Sequence, residues 1–170
     1  MRLYRFSPIK TEEELFEAIK HIHISSYQLS KNSFGKYLSN SGNMGVFCHY
    51  EDEFVFLKNL RDKLCSVSHN KDQKYFELMK PFVISAIGDI PEIIYTHLYI
   101  RKPDIYRSQV GDIDFYLQDE EYQSLKSRIE SGELVPGARV FARPDLDMIE
   151  LFNSDIDVLA YVSTHKISES

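Results

Sequence analysis

The chain switches between two hydrophobic periods, and one combination of them is written twice. Gly42-Asn43-Met44-Gly45-Val46-Phe47 precedes Glu53-Phe54-Val55-Phe56-Leu57-Lys58, and Gly111-Asp112-Ile113-Asp114-Phe115-Tyr116 precedes Glu121-Tyr122-Gln123-Ser124-Leu125-Lys126. Each copy reads as a short apolar strand, an acidic gap, then an amphipathic helix whose first turn carries acids where the helix dipole favours them. A strand–helix unit repeated in this way predicts two copies of one supersecondary module with a cleft between them. The first helix of the pair is expected over Glu51–Leu64, with Phe54, Leu57, Arg61 and Leu64 on one stripe, and the second over Glu120–Ile129.

The flanking pattern completes the picture. Leu3-Tyr4-Arg5-Phe6 reads as a strand, and Thr11 with Glu14 forms a capping box ahead of Leu15, Ile19 and Ile22, predicting a helix to Leu29. Ser30 to Gly42 reads as loop. Tyr75–Leu78, Phe82–Ile87 and Ile93–Ile100 read as three strands divided by Pro81, Gly88 and Pro91. After the second helix come strands at Arg139–Ala142, Met148–Phe152 and Asp157–Val162. The predicted fold is α+β: two β-α-β-β-β modules, residues 42–104 and 105–163, forming mixed curved sheets. A strand–helix extension (1–41) precedes them and a flexible tail (164–170) follows.

Composition narrows the class more than the chemistry. At 170 residues with 43% hydrophobic residues, the chain can bury a core of ordinary size. A net charge of −6 sets nucleic acid aside as the expected partner, although Arg101, Lys102, Arg107, Arg139 and Arg143 are the candidates for a local basic patch. Two cysteines give no disulfide framework, and no apolar run approaches membrane-spanning length, so a cytoplasmic setting with reduced thiols is expected. Cys48 and His49 are strand neighbours pointing to opposite faces, which argues against a nucleophile pair.

Arg139-Val140-Phe141-Ala142-Arg143-Pro144-Asp145-Leu146-Asp147-Met148-Ile149-Glu150-Leu151 resembles the C-terminal signature of the vicinal oxygen chelate superfamily, which includes glyoxalase I, extradiol dioxygenases and bleomycin-resistance proteins. The resemblance runs from about Gly42 to Phe152. It implies a half-barrel built from paired modules, with ligands drawn from the first and fourth strands of each. Carried onto this sequence it implies a metal set of Asn43, His97, Asp112 and Glu150 for divalent Fe, Mn, Ni or Zn. Asn43 and Asp112 stand where the family usually has His or Gln. In that reading Glu150 or Asp112 shuttles a proton, and Tyr99, Arg101 and Asp114 contact substrate. The same resemblance allows a metal-free ligand binder.

Each of these residues also has an ordinary structural reading. His97 is a strand residue that a hydrogen bond would satisfy; it alternates with Tyr95, Tyr99 and Arg101 on one face. Asp112 and Asp114 share a strand face, where pairing with Arg101 or Arg107 would satisfy them. Glu150 points away from the core if Ile149 and Leu151 point into it, either to solvent or to a cleft. Arg101 to Arg107 is a solvated linker or an anion site. The sequence therefore supports a small-molecule protein of unspecified substrate, metal-dependent or not, a homodimer among its assemblies. The competing class is a non-catalytic protein-interaction module.

Overall fold

The computed structural model describes residues 3–39, 41–70, 72–144 and 146–164. The expected tail thus lies, apart from Thr164, outside the described residues, as do Asp145, His165 and the side chain of Arg143.

Three helices cover one face of a single mixed sheet. The order along the chain is α1 (Glu12–Phe34), β1 (Ser41–Phe47), α2 (Glu51–Leu64), β2 (Tyr75–Ile84), β3 (Ile93–Arg101), β4 (Gly111–Tyr116), α3 (Asp119–Glu130), β5 (Ala138–Arg143), β6 (Leu146–Leu151) and β7 (Leu159–Ser163). The seven strands lie in the order β2-β3-β1-β4-β7-β6-β5. At the centre β1 runs antiparallel to β4, and on either side each pairs with a parallel neighbour, β1 with β3 and β4 with β7. The α+β reading holds, as one continuous sheet.

α2 and α3 lie where the periodicity puts them; of the stripe expected on α2 Leu57 is buried and Phe54, Arg61 and Leu64 half-buried, while the buried face also takes in Glu53 and Leu60. α1 does not end at Leu29 but runs on to Phe34, closing on Gly35 in the left-handed region at φ 73°. Ser30 and Ser33 read as loop formers, yet both are buried, as is Ser26 within the expected helix. The hydroxyls of Ser26, Ser30 and Ser33 donate to the carbonyls of Leu159, Tyr27 and Pro136. Small side chains let the helix lie close on the sheet, and tertiary contact overrides local propensity. Gly111 of β4 meets this need from the other side: a Cβ there would stand 2.3 Å from Ile22 Cδ1 and 2.4 Å from the Gly45 carbonyl oxygen.

The first unit has one strand fewer than the pattern predicts. Tyr75–Leu78 and the start of Phe82–Ile87 merge into the ten-residue β2, with a register shift between Glu77 and Phe82. Pro81 sits inside this strand because β2 is the sheet's edge, where a missing N–H breaks no ladder on the open side. Leu3–Phe6 forms no strand. That segment docks through side chains: Tyr4 stacks on His49 at 3.8 Å and donates its hydroxyl to the Ile105 carbonyl, and Arg5 pairs with Asp157 at 2.7 Å.

The core lies between helices and sheet. Leu15, Ile19, Ile22 and Tyr27 of α1 meet Met44, Val46, Ile113, Phe115, Ile149, Ala160 and Val162, with Tyr27 edge-on to Phe115 at 5.0 Å. Alternation then sends Gly45, Phe47, Asp112, Asp114, Tyr161 and Glu150 to the opposite face, which carries no helix among the described residues.

Candidate functional site

On that helix-free face the sheet holds a cleft of about 440 Å³, within the range of small-molecule sites. Strand register assembles it. Gly45 of β1 pairs with Asp112 of β4, Asp114 pairs with Tyr161 of β7, and Tyr161 pairs with Glu150 of β6. From the other half Tyr99 of β3 lies opposite Tyr75 of β2, with Arg101 two residues further on.

Two carboxyl groups form the floor. Asp112 is 6% exposed and Asp114 2%. Burial raises Asp112 to about 7, while the Arg101 guanidinium and the Gly45 N–H pull the other way. Burial also drives Asp114 well above the ordinary carboxyl range, and the charge of Asp112 adds to it. Tyr75 and Asn43 lie close enough to lower it, yet Asp114 Oδ1 and both polar atoms of Asn43 lack a hydrogen bond of good geometry among the described residues. Two acids this close do not ionise together in a dry site. At neutral pH the pair therefore retains a proton, with Asp114 the more protonated partner.

Gly45 makes this arrangement sterically possible. A Cβ there would stand 2.1 Å from Asp112 Oδ1, 3.3 Å from its Cγ and 3.4 Å from Tyr99 Cδ1. The bare backbone lets the carboxyl lie against β1 and take the Gly45 N–H.

Cations and aromatics form the walls. Arg101 stacks on Phe47 with its guanidinium carbon 4.6 Å from the ring centre, and Arg139 stacks on Phe141 at 4.5 Å. Arg139 also donates to Glu150 at 2.9 Å, and the Tyr161 hydroxyl donates to the same carboxylate at 3.3 Å. The Tyr75, Tyr99 and Tyr161 hydroxyls are all held above their usual range, chiefly by burial, so each remains a neutral donor at physiological pH. Arg107, also in the wall, pairs with Asp104 at 3.3 Å.

The structure thus gathers Asp112, Asp114, Glu150, Tyr99 and Arg101 around one cleft. Asn43 and His97 pair with each other in register on β1 and β3, but neither lines it. Glu150 lies on β6, the third strand of the second unit, and not on the fourth, β7. Among the described residues no three His, Cys, Asp or Glu side chains are grouped to hold a metal ion. Glu150 is engaged by Arg139 and Tyr161, His97 Nδ1 lies 2.9 Å from the Thr96 hydroxyl, and Asp112 leans on Gly45. The implied metal set does not fit these positions. Tyr95 also departs from the expected face: its hydroxyl lies 2.7 Å from His23 Nδ1 on α1, the helix side, next to the register slip of β2. Tyr75, Tyr161, Phe47 and Phe141 also line the cleft, beyond the residues that the sequence nominates. Their signal was aromatic alternation in phase with the acids, legible only once the register is known.

No family model matches the chain, and no curated protein matches it. Among solved structures, it aligns over 99% of its length with 94% of a structural-genomics protein, EC4020, at 13% identity and a TM-score of 0.62, which shows a shared fold. Methylmalonyl-CoA epimerase of Streptomyces coelicolor in complex with 2-nitronate-propionyl-CoA aligns at 19% identity, covering 76% of this chain and 99% of that one, with a TM-score of 0.36. A methylmalonyl-CoA epimerase with methylmalonyl-CoA and ammonium aligns at 20% identity, 76% and 97% coverage and the same TM-score. That enzyme belongs to the vicinal oxygen chelate superfamily, but likeness at this level carries no argument about this chain's activity.

Proposed function

We propose that the cleft binds a small organic anion and that the Asp112–Asp114 pair exchanges a proton with it, in a fold of vicinal-oxygen-chelate type built from two related units. The observation that carries this reading is the carboxyl pair itself. Two acids two residues apart on a central strand, both buried and both raised, are costly to folding, and such groups concentrate where a proton must move. A base near 7 is well matched to proton transfer at neutral pH. Asp112 in its ionised form would accept the proton, and protonated Asp114 would hydrogen-bond to the charge that develops. Arg101, held by Phe47, would anchor the anion, and the three tyrosines would donate to its oxygens. The side chains themselves supply this acid–base chemistry, and no step is assigned to a metal.

The test is a panel of small carboxylates titrated into the protein by NMR, followed by exchange of ligand C–H protons in D₂O. Asp112→Asn is expected to retain binding and lose exchange, and Arg101→Gln to weaken binding about tenfold or more. Exchange that persists in Asp112→Asn refutes the base assignment. Saturation of an open surface by a protein partner, with no small ligand taken, favours the interaction-module reading instead.

A further inference from the structure

A second concavity lies on the other side of the molecule, sharing no lining residue with the cleft and independent of its chemistry. It is a groove of about 780 Å³ between α1, the end of α2 and β2. Its apolar wall comes from Phe16, Ile19, Leu64, Phe82 and Ile84, with Phe16 edge-on to Phe82 at 5.3 Å. Phe16 remains 39% exposed, which leaves an aromatic face open to a ligand. Three lysines from three different elements edge the groove: Lys20 of α1, Lys63 of α2 and Lys80 of β2, against one acid, Glu12. All three are exposed. The lysine ion pairs found among the described residues are those of Lys36 and Lys126, so none engages this trio, and three lysines face one acid in a chain of net charge −6.

We infer that this groove is a binding site for an aliphatic monocarboxylate, a fatty-acid-like amphiphile whose chain lies along the apolar wall and whose head meets the lysines. The charge pattern specifies the head: cations concentrate here although the chain as a whole repels anions. The apolar wall specifies the tail, and the volume fits one small molecule, since such sites span roughly 300–1,000 Å³. An added peptide strand is disfavoured. β2 is the open edge, but Pro81 presents no donor at its middle and Lys80 adds a charge, both features that guard an edge against pairing.

Dodecanoate below its micelle concentration, titrated into the full chain by calorimetry and amide NMR, tests the assignment. The expected result is saturable one-to-one binding that shifts the Phe16, Leu64, Phe82 and Ile84 amides. The triple variant Lys20→Ser, Lys63→Ser, Lys80→Ser should bind about tenfold more weakly, while dodecanol binds both proteins alike. Should the triple variant fold poorly, Phe16→Glu alone, which places a like charge on the wall, must weaken dodecanoate by at least as much. Absence of saturable binding, equal affinity in the lysine variant, or shifts at Tyr99 and Tyr161 in place of the groove overturns the proposal. So does a concentration-dependent dimer that the lysine variant abolishes, which would make the groove an interface between copies.

Discussion

Asp112→Asn tests the carboxyl pair through stability as well as through chemistry. Asp112 moves from 3.8 to about 7 on folding, chiefly through burial and against the pull of Arg101 and the Gly45 N–H. An acid raised in the folded state binds more protons folded than unfolded throughout that interval. Stability must then fall as pH rises from about 4 to about 7, and this group adds no further change beyond. The loss across the window is on the order of 4 kcal/mol, a large share of a domain's usual margin. Asn cannot titrate and keeps nearly the same shape, so the variant escapes the loss. Other groups complicate the absolute curve. Asp114 pulls in the same direction, while His23, lowered to about 4 by burial, and His49, also lowered by burial, pull in the opposite one. A depressed base weakens the fold as pH falls through its unfolded value toward its folded one. The two histidines are common to both proteins, so the difference between the curves isolates the carboxyl pair. Relief of Asp114 from its charged neighbour would enlarge that difference further. Urea unfolding followed by circular dichroism, at intervals from about pH 4 to about pH 8, should show the variant gaining about 1.4 kcal/mol per pH unit on the parent until near neutrality. Parallel curves would refute the argument, because they would mean that Asp112 is hydrated and ordinary in the folded protein.

Gly45→Ala should cost about 1–3 kcal/mol in denaturant unfolding by forcing Asp112 off β1. It should also shift the Asp112 titration seen by carboxyl NMR, an effect that a surface glycine would not produce. Glu53→Gln should destabilise by about 2–4 kcal/mol. The buried carboxylate accepts from the Ser7 hydroxyl at 2.7 Å, the Ile9 N–H at 3.0 Å and the His49 N–H at 2.8 Å, and an amide nitrogen would face one of those donors. Faster amide exchange confined to the N-terminal segment and the start of α2 would confirm the locus. Asp157→Asn should cost about 2 kcal/mol at neutral pH, with the deficit closing as pH falls from about 4 toward 2. Burial alone would raise Asp157, but hydrogen bonds from His21 and Arg5 outweigh it and bring it to about 2. A deficit that persists at low pH would mean that packing, not charge, holds that corner.

Periodicity made the two strand–helix units readable because each helix buries one stripe and each first strand is apolar on one side. It misled at α1 because buried serines and loop serines look alike until their carbonyl partners are known. It divided β2 at Pro81 because edge and interior strands differ only in what lies beside them. The candidate site follows the same division. Asp112, Asp114, Glu150, Tyr99 and Arg101 could be nominated from one strand at a time, since each polar group stands out against an apolar pattern. Tyr75, Tyr161 and Arg139 depend on which residue lies opposite across a ladder, and His97 and Asn43 follow from analogy between units, not from register.

That contrast bears on how the site arose physically. A strand reading Asp-Ile-Asp in the middle of a sheet violates the usual requirement that buried charge be paired, and the Arg101 guanidinium lowers Asp112 too little to offset its burial. The structure accommodates the violation by withholding a side chain at Gly45 and by surrounding the acids with tyrosines that remain protonated. If the pair served only architecture, well-packed apolar residues at these two positions would serve the sheet better. The double variant Asp112→Asn, Asp114→Asn should therefore be more stable than the parent at about pH 8, by several kcal/mol on the same linkage, and inactive toward any ligand proton the parent exchanges. A double variant less stable than the parent at that pH would show the acids to be structural, and the cleft would lose its claim to chemistry.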